Sequence, residues 1–391
     1  MATLPFVCAS GQKKEIAQAK DNVKAGKSLV EAEASMRKLL ADSANRDNEK
    51  IWLVLFDAVR KQYESLNEQM YLRHSIDTAQ FFHTTLKMFE VLEGLDSIDS
   101  KPERSGRIHL KYRKRHSEYL NSYRQNLFNG GLYFINNQKY SEAWNFFDAY
   151  LDCRRQPLFE NYNYSSNDKK LSRAAFYSVL CGYREGSYEH TMLYADLAQG
   201  DTLHNETTWK YMAETYRAAK DTANCVEVLQ KGFDVFPRSD YFFPRLFDYY
   251  FKRGDLHRST AICDDALAAD SLSRIAVYAK SSVMLASKRY DECIKLSEWL
   301  IKNDSTASEP YLNVGLSYYI QALNVDNLKK PTKTQRARMI ELYRKALPYM
   351  KEYRRLVPKA KDKWGLPLYT IYLNLNMGHE FEEIDNLLKQ K

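Results

Sequence analysis

Residues 206–239 read ETTWKYMAETYRAAKDTANCVEVLQKGFDVFPRS, and this stretch decides the fold. Trp209, Met212, Ala213 and Tyr216 recur at three- and four-residue spacing, which places them on one face of a helix. Cys225, Leu229 and Gly232 do the same for a second helix, and Pro237 ends it, because proline disfavours helical backbone in the residue before it. Two short helices with facing apolar stripes bury those stripes most simply against each other, as an antiparallel hairpin.

The pattern repeats with a period of 34 residues, the signature of a helical array. Phe243, Leu246, Phe247 and Tyr250 lead to Ser259, Cys263 and Ala266, with Ser271 at the place of the closing proline. Val277, Ser281 and Met284 then lead to Tyr290 and Cys293. Tyr311, Val314, Gly315 and Tyr318 open the next unit, whose second helix (Ala346, Met350, Tyr353, then Pro358) is delayed by an insertion over 321–339. Upstream, Leu127, Gly130, Gly131 and Phe134 lead to Tyr140, Ala143, Phe147 and Tyr150. A polar loop is predicted from Phe159 to Leu171, followed by a degenerate unit over 172–203. Leu368, Ile371, Tyr372 and Leu375, then Phe381, Ile384 and Leu388, close the chain with a helix whose polar side can face water, as a terminal cap requires.

The 206–239 unit resembles the tetratricopeptide repeat, in its bacterial type. It matches the family pattern of a bulky residue, Leu-Gly, Tyr, then Ala, Phe, Ala and Pro, with Met212-Ala213, Cys225 and Gly232 as departures. The resemblance implies an all-α fold, a solenoid of stacked antiparallel helix hairpins. It is specific over 124–391, where seven helix pairs can be counted with insertions near 158–171 and 321–339. Residues 13–123 read as diverged hairpins of the same scheme, from Ala32, Met36 and Leu39, then Trp52, Leu55, Phe56 and Val59, then Ile76, Ala79, Phe82, Leu86 and Phe89. A linker is predicted near Gly94 to Gly106. Residues 1–12 end in an apolar and then small stretch, Leu4 to Gly11, that looks like the remnant of a secretory signal. That reading implies export to the periplasm; without it the chain is cytoplasmic.

Composition agrees with helix: 14 Gly and 10 Pro in 391 residues leave few breakers. The 29 Tyr and 18 Phe point to packing in which aromatic rings lodge against small residues such as Gly131, Ala143, Ala213 and Cys225. The net charge of +8 is spread among acidic residues and reads as solvated surface. The densest basic run, Arg104 to Arg115, reads as a linker and the polar side of the next helix, as do Lys329, Lys330, Lys333, Arg336 and Arg338. No stretch approaches the ~20 apolar residues of a membrane-spanning helix.

Catalytic motifs are missing from the sequence. There is no GxxxxGK or GxGxxG phosphate loop, no GxSxG elbow and no HExxH helix. The six cysteines form no CxxC pair, and of the eight histidines only His109 and His116 are placed to share a helical face. No enzyme activity, cofactor or metal is expected.

Stacked hairpins leave the first helix of each pair with side chains that the packing does not use, and the resemblance implies a concave surface there that binds a protein or peptide partner. Counting from each bulky landmark places Lys210, Glu214, Arg217, Arg245, Asp248, Tyr278, Ser282, Asn313 and Tyr319 on it. The family's clamp for chaperone tails is not expected, since Pro244, Asp248, Tyr278 and Leu312 occupy its places. An RNA-binding solenoid is the competing reading; it is disfavoured by the absence of a repeated polar pair, so nucleic acid is not the expected partner.

Overall fold

The computed structural model describes residues 5–102 and 106–389, with side chains from residue 11 onward. The signal-like reading of Leu4 to Gly11 rests on side chains outside the described residues, as does Cys8. All described regular structure is helical: α1 (Pro5–Ala25), α2 (Leu29–Ala41), α3 (Glu49–Tyr71), α4 (Thr78–Asp99), α5 (Arg113–Asn136), α6 (Tyr140–Asp152), α7 (Tyr164–Asn167), α8 (Leu171–Glu185), α9 (Tyr188–Met192), α10 (Ala195–Ala198), α11 (Asn205–Ala218), α12 (Thr222–Val235), α13 (Phe242–Lys252), α14 (Leu256–Ala269), α15 (Arg274–Ala286), α16 (Tyr290–Asn303), α17 (Ser308–Asp326), α18 (Lys333–Leu356), α19 (Lys361–Asn374) and α20 (Gly378–Lys389). The chain divides into two compact units, Met1–Cys225 and Val226–Lys391, with the division inside α12.

The 34-residue period is written into the backbone at the hairpin turns. Gly186, Lys220, Gly254 and Lys288, each 34 residues from the last, have φ of 72°, 59°, 70° and 60°. At each, the next residue donates its N–H to the carbonyl five back: Ser187 to Gly182, Asp221 to Tyr216, Asp255 to Tyr250 and Arg289 to Met284. This left-handed stop satisfies the last carbonyls of the first helix and turns the chain straight into the second. The degenerate unit after 172 is therefore in register, although its second helix is broken into α9 and α10 at Leu193 and Tyr194. Tyr194 turns inward there, where its hydroxyl donates to Asp148 at 2.6 Å and accepts from Arg155 at 3.0 Å.

In the first unit, small residues receive rings as the composition suggested. A Cβ on Gly131 would lie 2.5 Å from the Phe147 ring, and one on Gly130 would lie 2.7 Å from Phe146, so neither position tolerates a side chain without repacking. Gly94 receives Trp52 in the same way. This corrects the predicted linker: residues 94–99 continue α4, held by buried Leu95, Asp96 and Asp99, and the break comes only after Asp99.

The predicted polar loop after Phe159 is also packed. Leu158 and Phe159 are each 2% exposed, in a short 3-10 segment (Pro157–Tyr162), and Tyr164 is buried at the start of α7. Tyr164 covers Arg124, itself buried on α5. Its guanidinium lies 3.7 Å over the Tyr150 ring and 3.8 Å over the Tyr164 ring, pairs with Asp168 at 2.8 Å, and donates to the Tyr150 carbonyl at 2.9 Å. A cation needs this enclosure of rings and acceptors to be buried at all.

In the second unit the first helices pack in sequence, α13 on α15, α15 on α17 and α17 on α19, with the second helices alternating behind them. The insertion over 321–339 is mostly helix, not loop. It lengthens α17 to Asp326 and starts α18 at Lys333, where Thr332 and Gln335 form a reciprocal capping box. Ala322, Met339, Leu342 and Tyr343 bury themselves in the resulting core, and the Tyr343 hydroxyl reaches Asp326 at 3.4 Å.

Candidate functional site

The sequence-derived positions separate once the side chains are placed. On α11 in the first unit, Lys210 pairs with Glu206 at 2.6 Å and Glu214 accepts from the Arg217 Nε at 2.8 Å. Lys210 and Glu214 are half-buried and Arg217 is exposed. On α13 in the second unit, the Arg245 guanidinium lies 3.6 Å over the Tyr241 ring, and exposed Asp248 pairs with Lys252. On α15, Tyr278 is 37% exposed, and Ser282 sits one turn on, its hydroxyl donating to the Tyr278 carbonyl at 3.1 Å.

Asn313 and Tyr319 do not lie on that surface. Both are buried on α17, which is packed against α15, α16, α18 and α19 together. Asn313 donates to the Ser281 hydroxyl at 3.0 Å and lies 3.4 Å from that of Ser282, while the Tyr319 hydroxyl stands 3.5 Å from Thr370 Oγ1. They join neighbouring first helices. Counting from a landmark assumes that each first helix has one free side, and α17 has none.

The basic run resolves differently from a solvated stripe. Arg113 turns inward to a two-pronged contact with Asp96, at 2.9 and 2.8 Å, and Lys111 pairs with Glu49 at 3.4 Å. The Tyr112 N–H donates to Asp99 at 3.0 Å. Arg104 lies outside the described residues. His109 precedes α5 and is exposed, whereas His116 is buried within it, so the two share no helical face. Lys329, Lys330, Lys333, Arg336 and Arg338 are exposed.

What the sequence reading missed is a cleft in the first unit, of about 790 Å³, between α1, α3 and the start of α5. Phe56, Tyr112, His116 and Tyr119 line it together with Lys20, Lys50, Asp57, Arg60, Arg115 and Glu118. Phe56 meets Tyr119 edge-on at 5.5 Å and 87°, and Tyr112 stacks on His116 at 5.6 Å and 10°. Burial, then the neighbouring Arg115, lowers the His116 pKa and favours the neutral ring; burial also pushes the Tyr119 hydroxyl up. Arg60 is occupied by Asp57 at 2.9 Å and Glu64 at 3.8 Å. The signal was half visible in Tyr112, Arg115 and His116, within or beside the basic run. The other walls come from segments ~50 and ~100 residues away, which no local pattern links.

Among the described residues no group of three His, Cys, Asp or Glu is placed to hold a metal ion, and no helix is long and apolar enough to cross a membrane. Cys153, Cys181, Cys263 and Cys293 are buried free thiols, and Cys225 is partly covered. Burial pushes Cys181 and Cys263 up to about 12, so neither is a thiolate at neutral pH.

Hairpins in phase along the backbone make this an all-α helical-repeat protein. The landmarks at Trp209, Tyr216 and Pro237, with the 34-residue turn register, give the repeat the spacing that the tetratricopeptide pattern has. No family model and no curated protein matches the chain. Solved structures do. A tetratricopeptide repeat protein from Parabacteroides merdae is 13% identical, over 65% of this chain and 97% of that one, with a TM-score of 0.35. A TPR repeats protein from Bacteroides fragilis is 17% identical, over 65% and 96%, with a TM-score of 0.31. The TPR domain of P58(IPK) is 11% identical, over 97% and 100%, with a TM-score of 0.27.

Proposed function

We propose that the protein is a non-catalytic scaffold that binds a polypeptide partner through side chains its first helices hold outside the core. The carrying observation is that α13 and α15 present Arg245, Asp248, Tyr278 and Ser282 from helices locked by left-handed turns and mutual packing. Side chains on such rigid elements are pre-organised, so binding orders little and an extended peptide can be held at modest entropic cost. On α11, Lys210, Glu214 and Arg217 offer a comparable charged set in the first unit. The mixture of charge and aromatic surface suits a peptide with alternating polar and apolar residues better than a phosphate backbone, which asks for uniform positive charge.

The test is affinity capture of the tagged full chain from lysate, with and without nuclease and at two salt concentrations, with mass spectrometry and nucleic-acid quantification. A defined protein partner retained after nuclease is the expected result. Salt-sensitive retention of RNA, lost with nuclease, overturns the reading.

A further inference from the structure

We propose that the cleft between α1, α3 and α5 seats an acidic peptide segment that carries an aromatic or branched aliphatic side chain. This deepens the polypeptide-binding reading and rests on it.

The cleft has the size of a specific ligand site, about 790 Å³ against the ~300–1,000 Å³ usual for such pockets. Its aromatic wall is Phe56, Tyr112, His116 and Tyr119, and the neutral state favoured for His116 keeps that wall apolar in character. An apolar side chain of the partner lodged there gains from leaving water, as buried aromatic contacts generally do.

The rim supplies the sign of the partner's charge. Arg60 and Asp57 neutralise each other. The remaining charged lining is Lys20, Lys50 and Arg115 against Glu118, three positive less one negative, an excess of two. Lys20, Lys50 and Arg115 make no ion pair or side-chain hydrogen bond among the described residues. Three cations from three different helices thus converge on one apolar wall without stabilising the fold by pairing. A segment with two or three carboxylates flanking an apolar residue complements this arrangement and can steer clear of Glu118. A nucleic-acid strand fits less well, since it brings a charge at every nucleotide past Glu118 on the same wall.

The experiment is fluorescence anisotropy of the full chain with short labelled peptides, acetylated and amidated so that no terminal charge contributes. The probe has Glu and Asp residues around a central Phe-Leu; one control replaces the acids by Gln and Asn, another replaces Phe-Leu by Ser-Ser, and a third probe is an oligothymidylate. The expected result is saturable binding of the acidic Phe-Leu peptide, weakened at least about tenfold in either peptide control and in the Lys50→Glu, Arg115→Glu double variant. Lys302→Glu on the exposed end of α16 should leave it unchanged, which excludes a general charge effect. If the acidic peptide does not bind while a partner captured from lysate still does, the cleft assignment is overturned and the scaffold reading stands. If neither binds, both fall. Oligothymidylate binding that depends on Lys50 and Arg115 overturns the peptide assignment in favour of nucleic acid.

Discussion

Replacing Asp168 by alanine should destabilise the first unit more than almost any other single surface-proximal change, because it leaves Arg124 charged and enclosed. Arg124 is 6% exposed, its guanidinium sits between the Tyr150 and Tyr164 rings at 3.7 and 3.8 Å, and Asp168 is its carboxylate partner at 2.8 Å. Removing one partner of a buried ion pair costs about 3–5 kcal/mol, mostly the desolvation of the charge left behind. Asp168 also accepts the Lys170 N–H at 2.9 Å, a contribution of about 1 kcal/mol that falls within the same range. For a unit of 225 residues, each kcal/mol moves the midpoint by about 2–4 °C, so a fall of about 6–20 °C follows. Thermal unfolding followed by circular dichroism measures it, with hydrogen exchange of α5 and α6 peptides assigning the transition. The Arg124→Met, Asp168→Leu double variant should recover much of the loss, since it buries no charge at all. A shift below about 2 °C for Asp168→Ala, or a double variant worse than the single, would refute the enclosure argument.

Further outcomes follow from the same packing. Glu93 is pushed up to about 8 by burial, and then by Asp152, Glu90, Asp148 and Asp96 around it. Its folded-state pKa thus exceeds the ordinary 4.5, so the stability it confers is complete below 4.5 and is lost as pH rises through 8, at up to about 1.4 kcal/mol per pH unit. Glu93→Gln cannot ionise, so urea-unfolding curves of variant and wild type should diverge in the variant's favour across that window; parallel curves would dismiss the effect. Lys220 and Lys288 hold left-handed backbone that costs a non-glycine residue about 1–2 kcal/mol. Lys220→Gly and Lys288→Gly should therefore raise the unfolding midpoint, by about 0.5–1 kcal/mol each after the glycine's entropy cost. A loss of stability at both positions would show that the turns are not the strained stops described.

How much could be read beforehand differs by element. The helical period was legible because Trp209, Tyr250, Met284 and their partners repeat where the packing demands bulk, and the turn register at Gly186, Lys220, Gly254 and Lys288 follows the same spacing. The segment from Phe159 to Leu171 looked polar because its six Asn, Ser and Asp residues outnumber the three side chains that bury, Phe159, Tyr164 and Leu171, and the need for cover comes from Arg124, more than 30 residues earlier. The 321–339 insertion read as an interruption because a longer hairpin keeps neither the period nor the landmarks. Its apolar Ala322, Met339 and Leu342 still carried the helical spacing. Counting places Arg245, Asp248, Tyr278 and Ser282 outside the core, since α13 and α15 each keep a free side, but misses the burial of Asn313 and Tyr319, because the burial of α17 depends on α18 and α19, whose placement no repeat position encodes. The cleft of the first unit joins residues from α1, α3 and α5, a convergence only the folded chain creates.

The measurement that bears most directly on the scaffold reading is the affinity of a nuclease-resistant protein partner for the intact protein and for the Lys210→Glu, Arg217→Glu, Arg245→Glu, Tyr278→Ala variant, by titration calorimetry with the helical signal of both checked. These side chains sit on the first helices and outside the buried core, so the variant should stay folded and bind at least about tenfold more weakly, a loss of about 1.4 kcal/mol or more. Equal affinities for the two proteins would contradict the assignment of the partner to the first-helix faces.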